Sequence, residues 1–419
     1  MMSNSDQNLP EKALNIFSGA SGENPFPIFA QMRAMGSVIQ IPFPMAGEGG
    51  QAWLVTRMEE AMQVLKDHHR FTVDLSSING DSNGRESLAD HAESGPPTFF
   101  TGKSMLFVDE PDHRRLRGLV SKAFTPRYME SLRPRVQKIA DELLDRVQAQ
   151  GEMDIVKDYA YPLPINVISE MLGVPQSDQE QIHVWSGAIA HGLGLGRQEP
   201  RVAEHLRAFG EYTSQLVADK RKYPGDDLIS QLIAIEEEGD RLNEAELISM
   251  ITLLIFAGHE TTSNLIATGS LMLLDHPEQL DKLKADLHLV PSAVEELLRF
   301  NGPATIAGPR FAIEDTELAG KQIKKGDMVF PLLKSANRDE AQFTQPEELD
   351  VTRKINRHLA FGHGIHMCLG APLARVEADI AFTTLLRRMP NLRLSVPREN
   401  VTWHFTLSSQ GLASLPVAF

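Results

Sequence analysis

Phe361-Gly-His-Gly-Ile-His-Met-Cys-Leu-Gly370 is the stretch that decides the reading of this chain, because it holds the only cysteine, Cys368, in 419 residues. A lone thiol cannot close an intrachain disulfide, and a backbone so rich in glycine turns sharply enough to carry one sulfur past a large flat object. Beyond Gly370, apolar residues at 373, 376, 380, 382, 385 and 386 with Pro372 in the first turn predict an amphipathic helix. Cys368 is therefore expected at a helix N-terminus, where free N–H groups and the dipole favour the anion and lower the thiol pKa. The flat object such a sulfur would hold is haem, with Cys368 on the iron. Phe361 would cover the sulfur, Gly362 would let the backbone approach the ring, and His366 would reach a propionate. Two other readings of the cysteine stand beside this one. It could be a small buried hydrophobe, for which the flanking glycines and histidines have no use, or a catalytic thiol, for which the sequence offers no local His and Asn or Asp signature.

The pattern Phe-Gly-x-Gly-x-His-x-Cys-x-Gly resembles the haem-binding loop of the cytochrome P450 family, and further matches lie in the right order over most of the chain. The resemblance implies a mainly α fold with a minor β region in a single compact domain, expected over 13–419 behind a disordered tail at 1–12. It also implies haem b and a monooxygenase that inserts one oxygen atom of O2 into a C–H bond. A separate ferredoxin or flavodoxin-type donor would supply the electrons.

The most apolar stretch, Leu247 to Gly258, is shorter than the roughly 20 residues that span a bilayer. It predicts a long buried helix starting near Asn243, with Glu246 completing a capping box. Within it, Ala257-Gly-His-Glu-Thr-Thr262 looks like the family's oxygen-activation segment. Ala257 and Gly258 would leave room over the haem, while Glu260 and Thr261 supply an acid and a hydroxyl. The plainer reading has Thr261 bonded back to a carbonyl one turn earlier and Glu260 paired with a surface base.

Glu296 and Arg299, three apart on one helix face, would ordinarily be a solvated surface pair of little worth. Followed by Arg353 upstream of the cysteine loop, they match the family's Glu-Arg-Arg triad, a structural brace. His113 and Arg117 stand at i and i+4 after Pro111, so both can point at one carboxylate. Arg310 matches the family's third propionate contact, and His358 is a further candidate. Arg114 and Arg115 are expected to face the electron donor.

Composition agrees with an enzyme that has a sizeable core: 42% of residues are hydrophobic and 23% charged. A net charge of −15 argues against a nucleic-acid surface. Met1 to Glu11 is polar, with neither signal segment nor membrane anchor, so a cytoplasmic, bacterial-type monomer is expected; the short stretch after the cysteine loop leaves no room for a fused reductase. Ala52 to Thr56 reads as strand and Met58 to Lys66 as helix, ahead of a mostly helical body from Asp109 to Met272. Ser76 to Pro97 and Ala190 to Pro200 are expected to be mobile covers over a pocket. Gly192-Leu-Gly-Leu-Gly196 is no dinucleotide fingerprint, since no βαβ pattern surrounds it.

Pocket walls are expected from the central helix before Gly258, from Ala304 to Ala307 and from Ser408 to Gly411, mostly small or apolar and suited to a bulky hydrophobic substrate such as a macrolide, terpenoid, steroid or fatty acid. Three other functions remain open. A peroxide-driven haem-thiolate enzyme would be expected to lack the Glu260 and Thr261 pair, a thiol hydrolase would purify colourless, and a haem sensor would have no need of a proton relay.

Overall fold

β-Branched and aromatic residues bring the first strands together. Val38–Pro42 (β1) and Gln51–Val55 (β2) pair antiparallel, with Val38 opposite Val55. The computed structural model describes residues 24–43, 50–79, 103–194, 200–237, 242–354, 357–406 and 408–419. Three later strands complete the sheet: Phe71–Thr72 (β3), Arg310–Ala312 (β4) and Met328–Pro331 (β5). Their order is β1-β2-β5-β4-β3, with β2 and β5 parallel and the other neighbours antiparallel. Phe26–Met35 (α1) and Met58–Lys66 (α2) pack with this sheet. Helix α2 turns Met58, Ala61, Val64 and Leu65 inward, the spacing of one helical face.

The helical body comprises Asp112–Ser121 (α3), Arg133–Val147 (α4), Pro162–Leu172 (α5), Gln179–Gly194 (α6), Pro200–Lys222 (α7), Leu228–Glu237 (α8), Glu244–Ala257 (α9), Glu260–Asp275 (α10), Val290–Asn301 (α11) and Ala371–Arg388 (α12). Helix α4 shows how sequence dictates packing. Val136, Ile139, Ala140, Leu143, Leu144 and Val147 fall on one stripe, all buried, and that stripe packs on α12. Helix α9 starts as its sequence predicts: Asn243 Oδ1 accepts from the Glu246 amide at 2.9 Å and Glu246 Oε2 accepts from the Asn243 amide at 3.2 Å. Every residue from Glu246 to Ile255 is buried, so the helix runs through the middle of the core.

One expectation needs correction. The central helix is not continuous through Ala257 to Thr262, because α9 ends at Ala257 and α10 begins at Glu260, with Gly258 and His259 between them. A Cβ on Gly258 would run into the Ile168 side chain and the Leu254 carbonyl, so glycine is required there for α5 to pack close. Its smallness therefore serves helix packing, and the sequence reading of Gly258 as room over the haem is revised accordingly. Of the expected covers, Ser76–Asn79 forms one helical turn while 80–102 lies outside the described residues. Helix α6 runs to Gly194, and 195–199, like the expected tail at 1–12, also lies outside them.

The Glu296, Arg299 and Arg353 brace is present and buried. Arg299 Nε and Nη2 donate to the two Glu296 oxygens at 2.8 Å each, and Arg353 Nε donates to Glu296 Oε2 at 3.0 Å. Arg299 also donates to the carbonyls of Asn337, Pro346 and Glu348, so nearly all its donors are used. With both side chains fully buried, the surface-pair reading fails. Arg299→Leu would leave the Glu296 carboxylate buried beside a single half-turned arginine. We expect that variant to lose about 3–5 kcal/mol of stability, read as a large fall in thermal midpoint, whereas Lys324→Ala on an exposed pair should leave the midpoint almost unmoved.

Candidate functional site

Cys368 sits three residues before the first residue of α12, as its sequence predicts, and its amide donates to the Phe361 carbonyl at 2.9 Å. The loop between them needs left-handed backbone: Gly362 has φ 71° and Gly364 φ 76°, and a Cβ on Gly364 would strike the Leu65 carbonyl at the end of α2. Cys368 as a residue is exposed, although protein surrounds the thiol itself closely. That enclosure pushes the thiol pKa up, while hydrogen bonds from the Gly370 and Ala371 amides and the nearby Arg117 charge pull it down without prevailing. The expected net lowering is thus reversed for the thiol alone. The helix terminus contributes as expected, but desolvation is the larger effect.

Basic side chains converge beside this loop. His113, buried on α3, stacks against His366 with ring centroids 4.3 Å apart, and Arg117 Nη2 donates to the Met367 carbonyl at 2.7 Å. Arg310, buried on β4, donates to the Gly308 and Pro309 carbonyls and, among the described residues, forms no ion pair. Burial lowers its pKa to about 10, only partly offset by Asp109. Burial, with repulsion from His366 and Arg117, pushes His113 down to about 4. His366 is likewise lowered, first by burial and then by Arg310 and Arg117 against the pull of Asp109. The cluster is short of negative charge.

Asp109, to which the sequence reading gave no role, organises this corner. Its oxygens accept from His366 Nε2 at 3.3 Å, from the Val73 amide at 3.3 Å and from the Thr72 hydroxyl. Burial raises its pKa, but these bonds outweigh burial and leave it lowered. His366 therefore has Nε2 engaged and only Nδ1 to offer a ligand.

Two sequence assignments are corrected. His358 belongs to a different cluster: its Nδ1 accepts from the Ala360 amide, so Nε2 carries the proton towards Glu295 Oε2 at 3.2 Å. Glu295 is also held by Arg375 at 2.7 and 2.9 Å, and Arg375 lies 4.6 Å over the Phe361 ring. Burial would raise the Glu295 pKa, yet His358 and Arg375 bring it down to about 2. Arg115 does not face outward as expected; it pairs with Glu246 at 2.6 and 3.0 Å and with Asp112 at 2.9 Å, leaving Arg114 as the exposed member.

Ala257 and Thr261 are both exposed although α9 before them and α10 after them are buried. Thr261 Oγ1 reaches the Ala257 carbonyl at only 3.4 Å, a weak bond that leaves the hydroxyl available. Glu260 is largely enclosed, and burial raises its pKa to about 7; among the described residues no base pairs with it. Two of the expected walls meet, and they pack on the helix after Gly258, not on the expected stretch before it. Ala304 bridges Ser409, the Thr305 amide donates to the Ser408 carbonyl at 2.8 Å, and a Cβ on Gly411 would collide with Asn264 of α10. A separate cleft of about 570 Å³ near Phe26, Asp275 and Trp403 shares none of these residues.

The donor set fits haem. A polarisable sulfur near a helix N-terminus would hold the iron, and His113, Arg117, Arg310 and His366, with Asp109 as their one hydrogen-bonded carboxylate among the described residues, would hold the two propionates.

The cytochrome P450 family model matches residues 195–408. Cytochrome P450 CYP107DY1 of Priestia megaterium is 47% identical over 88% of this chain and 90% of its own length. The polyketide biosynthesis cytochrome P450 PksS of Bacillus subtilis is 42% identical over 94% and 96%. The crystal structure of myxobacterial cytochrome P450 CYP267B1 in complex with myristic acid superposes with a TM-score of 0.88 at 40% identity, covering 97% of this chain and 98% of that one. The chain belongs to the cytochrome P450 family, whose members bind haem b. It is a cytochrome P450 monooxygenase of the bacterial type.

Two outcomes follow from this geometry. Arg310→Ala should purify with less haem, because a propionate loses a buried, charge-assisted partner; full haem content and an unchanged midpoint would remove Arg310 from the site. Glu260 binds its proton more tightly folded than unfolded, so stability should fall as pH rises from about 4.5 to about 7 and then level off. Glu260→Gln should lack that component in thermal melts across the same window.

Proposed function

We propose that this monooxygenase oxidises a C–H bond of a bulky hydrophobic molecule, with Cys368 as the axial ligand of its haem iron. The exposed Cys368 three residues before α12, set beside four basic side chains short of anions, is the observation that carries this reading. Bound haem supplies the oxygen-activating chemistry, with electron donation from the thiolate favouring O–O cleavage. His113, Arg117, Arg310 and His366 orient the group through its propionates. Arg375 over Phe361, anchored on Glu295, keeps the cysteine loop in place from behind.

Glu260 holds a proton near neutral pH because burial raises its pKa, and Thr261, loosely tied to Ala257, presents a hydroxyl beside it. Together they deliver protons where the helix is broken, and the enclosing walls exclude bulk water. The substrate lies against the central helix before Gly258, Ala304 to Ala307 and the turn at Ser408 to Gly411, residues that are mostly small or apolar. One relative is named for polyketide biosynthesis, another as a vitamin D(3) 25-hydroxylase, and a third is solved in complex with myristic acid, which supports a large apolar substrate here. Electrons come from a separate ferredoxin or flavodoxin-type partner, to which Arg114 offers an exposed charge. We further assign residues 13–419 to one catalytic unit acting as a cytoplasmic monomer. No helix among the described residues is long and apolar enough to cross a membrane.

The test is spectroscopic. The reduced, carbon monoxide-treated protein should show the far red-shifted Soret band of a thiolate ligand, and Cys368→Ser should abolish it; a native spectrum of the imidazole type would overturn the ligand assignment.

A further inference from the structure

Glu260 is enclosed, so each proton it gives up must be replaced through protein. Two buried polar atoms near it have no hydrogen-bond partner among the described residues, the Tyr161 hydroxyl and His259 Nε2. His259 is 1% exposed, and its Nδ1 lies 2.9 Å from the Ile255 carbonyl. Nδ1 therefore carries the hydrogen and Nε2 is a bare acceptor. Tyr161, at the entrance to α5, stands edge-on to His259 with ring centroids 5.9 Å apart. An unsatisfied donor and an unsatisfied acceptor on adjoining rings are what a buried water bridges.

On its other side Tyr161 lies against His183 of α6, with ring centroids 4.0 Å apart. His183 and Glu180, one turn earlier on the same helix, are both exposed. Glu180 acts electrostatically on His183 and on Tyr161, and Tyr161 in turn senses Glu260. From solvent inwards the groups on α6, the α5 entrance and the central break run Glu180, His183, Tyr161, Glu260, with His259 on the flank.

We propose that His183 and Tyr161 form the path by which solvent protons reach Glu260. A proton leaves the His183 imidazolium for the Tyr161 oxygen as the Tyr161 hydroxyl proton passes to the Glu260 carboxylate, each hop through a bridging water, because the Tyr161 hydroxyl has no hydrogen-bond partner among the described residues. One proton moves, only N–H and O–H bonds change, and His183, left neutral, takes the next proton from solvent. Burial lowers the His183 pKa and Glu180 at the mouth only partly offsets this, so His183 carries its proton transiently as it passes, and Tyr161 stays a neutral phenol throughout because burial raises its pKa. This path rests on the reading of Glu260 as proton donor.

The experiment uses the haem-loaded protein and follows the Glu260 carboxyl band by infrared difference spectroscopy after a pH jump through neutrality, the band being identified by its loss in Glu260→Gln. Tyr161→Phe and His183→Gln should each slow the relaxation of that band by about tenfold or more, and the double variant should be no slower than the single ones. The substrate-induced Soret shift should persist in all three, which separates a proton path from damage to the pocket. Native relaxation in Tyr161→Phe, alongside impaired turnover in Glu260→Gln, would overturn the path alone. Native turnover in Glu260→Gln would overturn the role of Glu260 and the path with it.

Discussion

A buried ion pair that cannot be left half-made is the constraint behind the cysteine side of this molecule. Glu296 and Arg299 lie one turn apart on α11 with no solvent access, and Arg353 together with backbone groups from 337 to 350 completes their hydrogen bonds. Two charges stripped of water are tolerable only with such complete pairing. The long non-helical segment before the cysteine loop therefore has one acceptable course past α11. A second carboxylate on the same helix, Glu295, faces the other way and fastens α12 and His358 through Arg375. Adjacent residues of one helix thus fix the approach to the loop and the exit from it.

Electrostatics divides the site into halves with opposite demands. Beside the cysteine loop, burial and the two arginines keep His113 and His366 from protonating, and among the described residues Asp109 is the one carboxylate facing Arg117 and Arg310, so the corner carries excess positive charge that an anion offsets. At the break in the central helix the imbalance is one of solvation. Among the described residues Glu260 has no cationic partner, and burial keeps its proton available near neutrality. Neither arrangement would be chosen for stability, which is consistent with function being drawn from strained electrostatics.

Much of this could be read in the sequence where the signal is local. The capping box at Asn243, the helix after Gly370 and the α2 boundaries depend on neighbours in the chain, and their spacing revealed them. The Glu-Arg-Arg brace was legible only through family resemblance, because nothing at three-residue spacing distinguishes a buried pair from a solvated one. What escaped were long-range pairings: Asp109 with His366, Glu295 with Arg375, Arg115 with Glu246. Each joins segments more than 75 residues apart, with |i−j| of 257, 80 and 131, and no local pattern encodes such partners. The interruption at Gly258 escaped for a related reason, since its cause is Ile168 on another helix.

The sheet has a consequence for how the chain is made. Strand β2, at 51–55, has its parallel partner in β5, at 328–331, and the end of α2 is overlaid by Gly364 of the cysteine loop. At ribosomal rates of roughly 5–20 residues per second, the amino-terminal module waits tens of seconds for its missing strand. During that interval the β1–β2 hairpin presents an open edge bearing Trp53, Leu54 and Val55, so the nascent protein depends on the cell to keep that edge unpaired until its own carboxy-terminal half arrives.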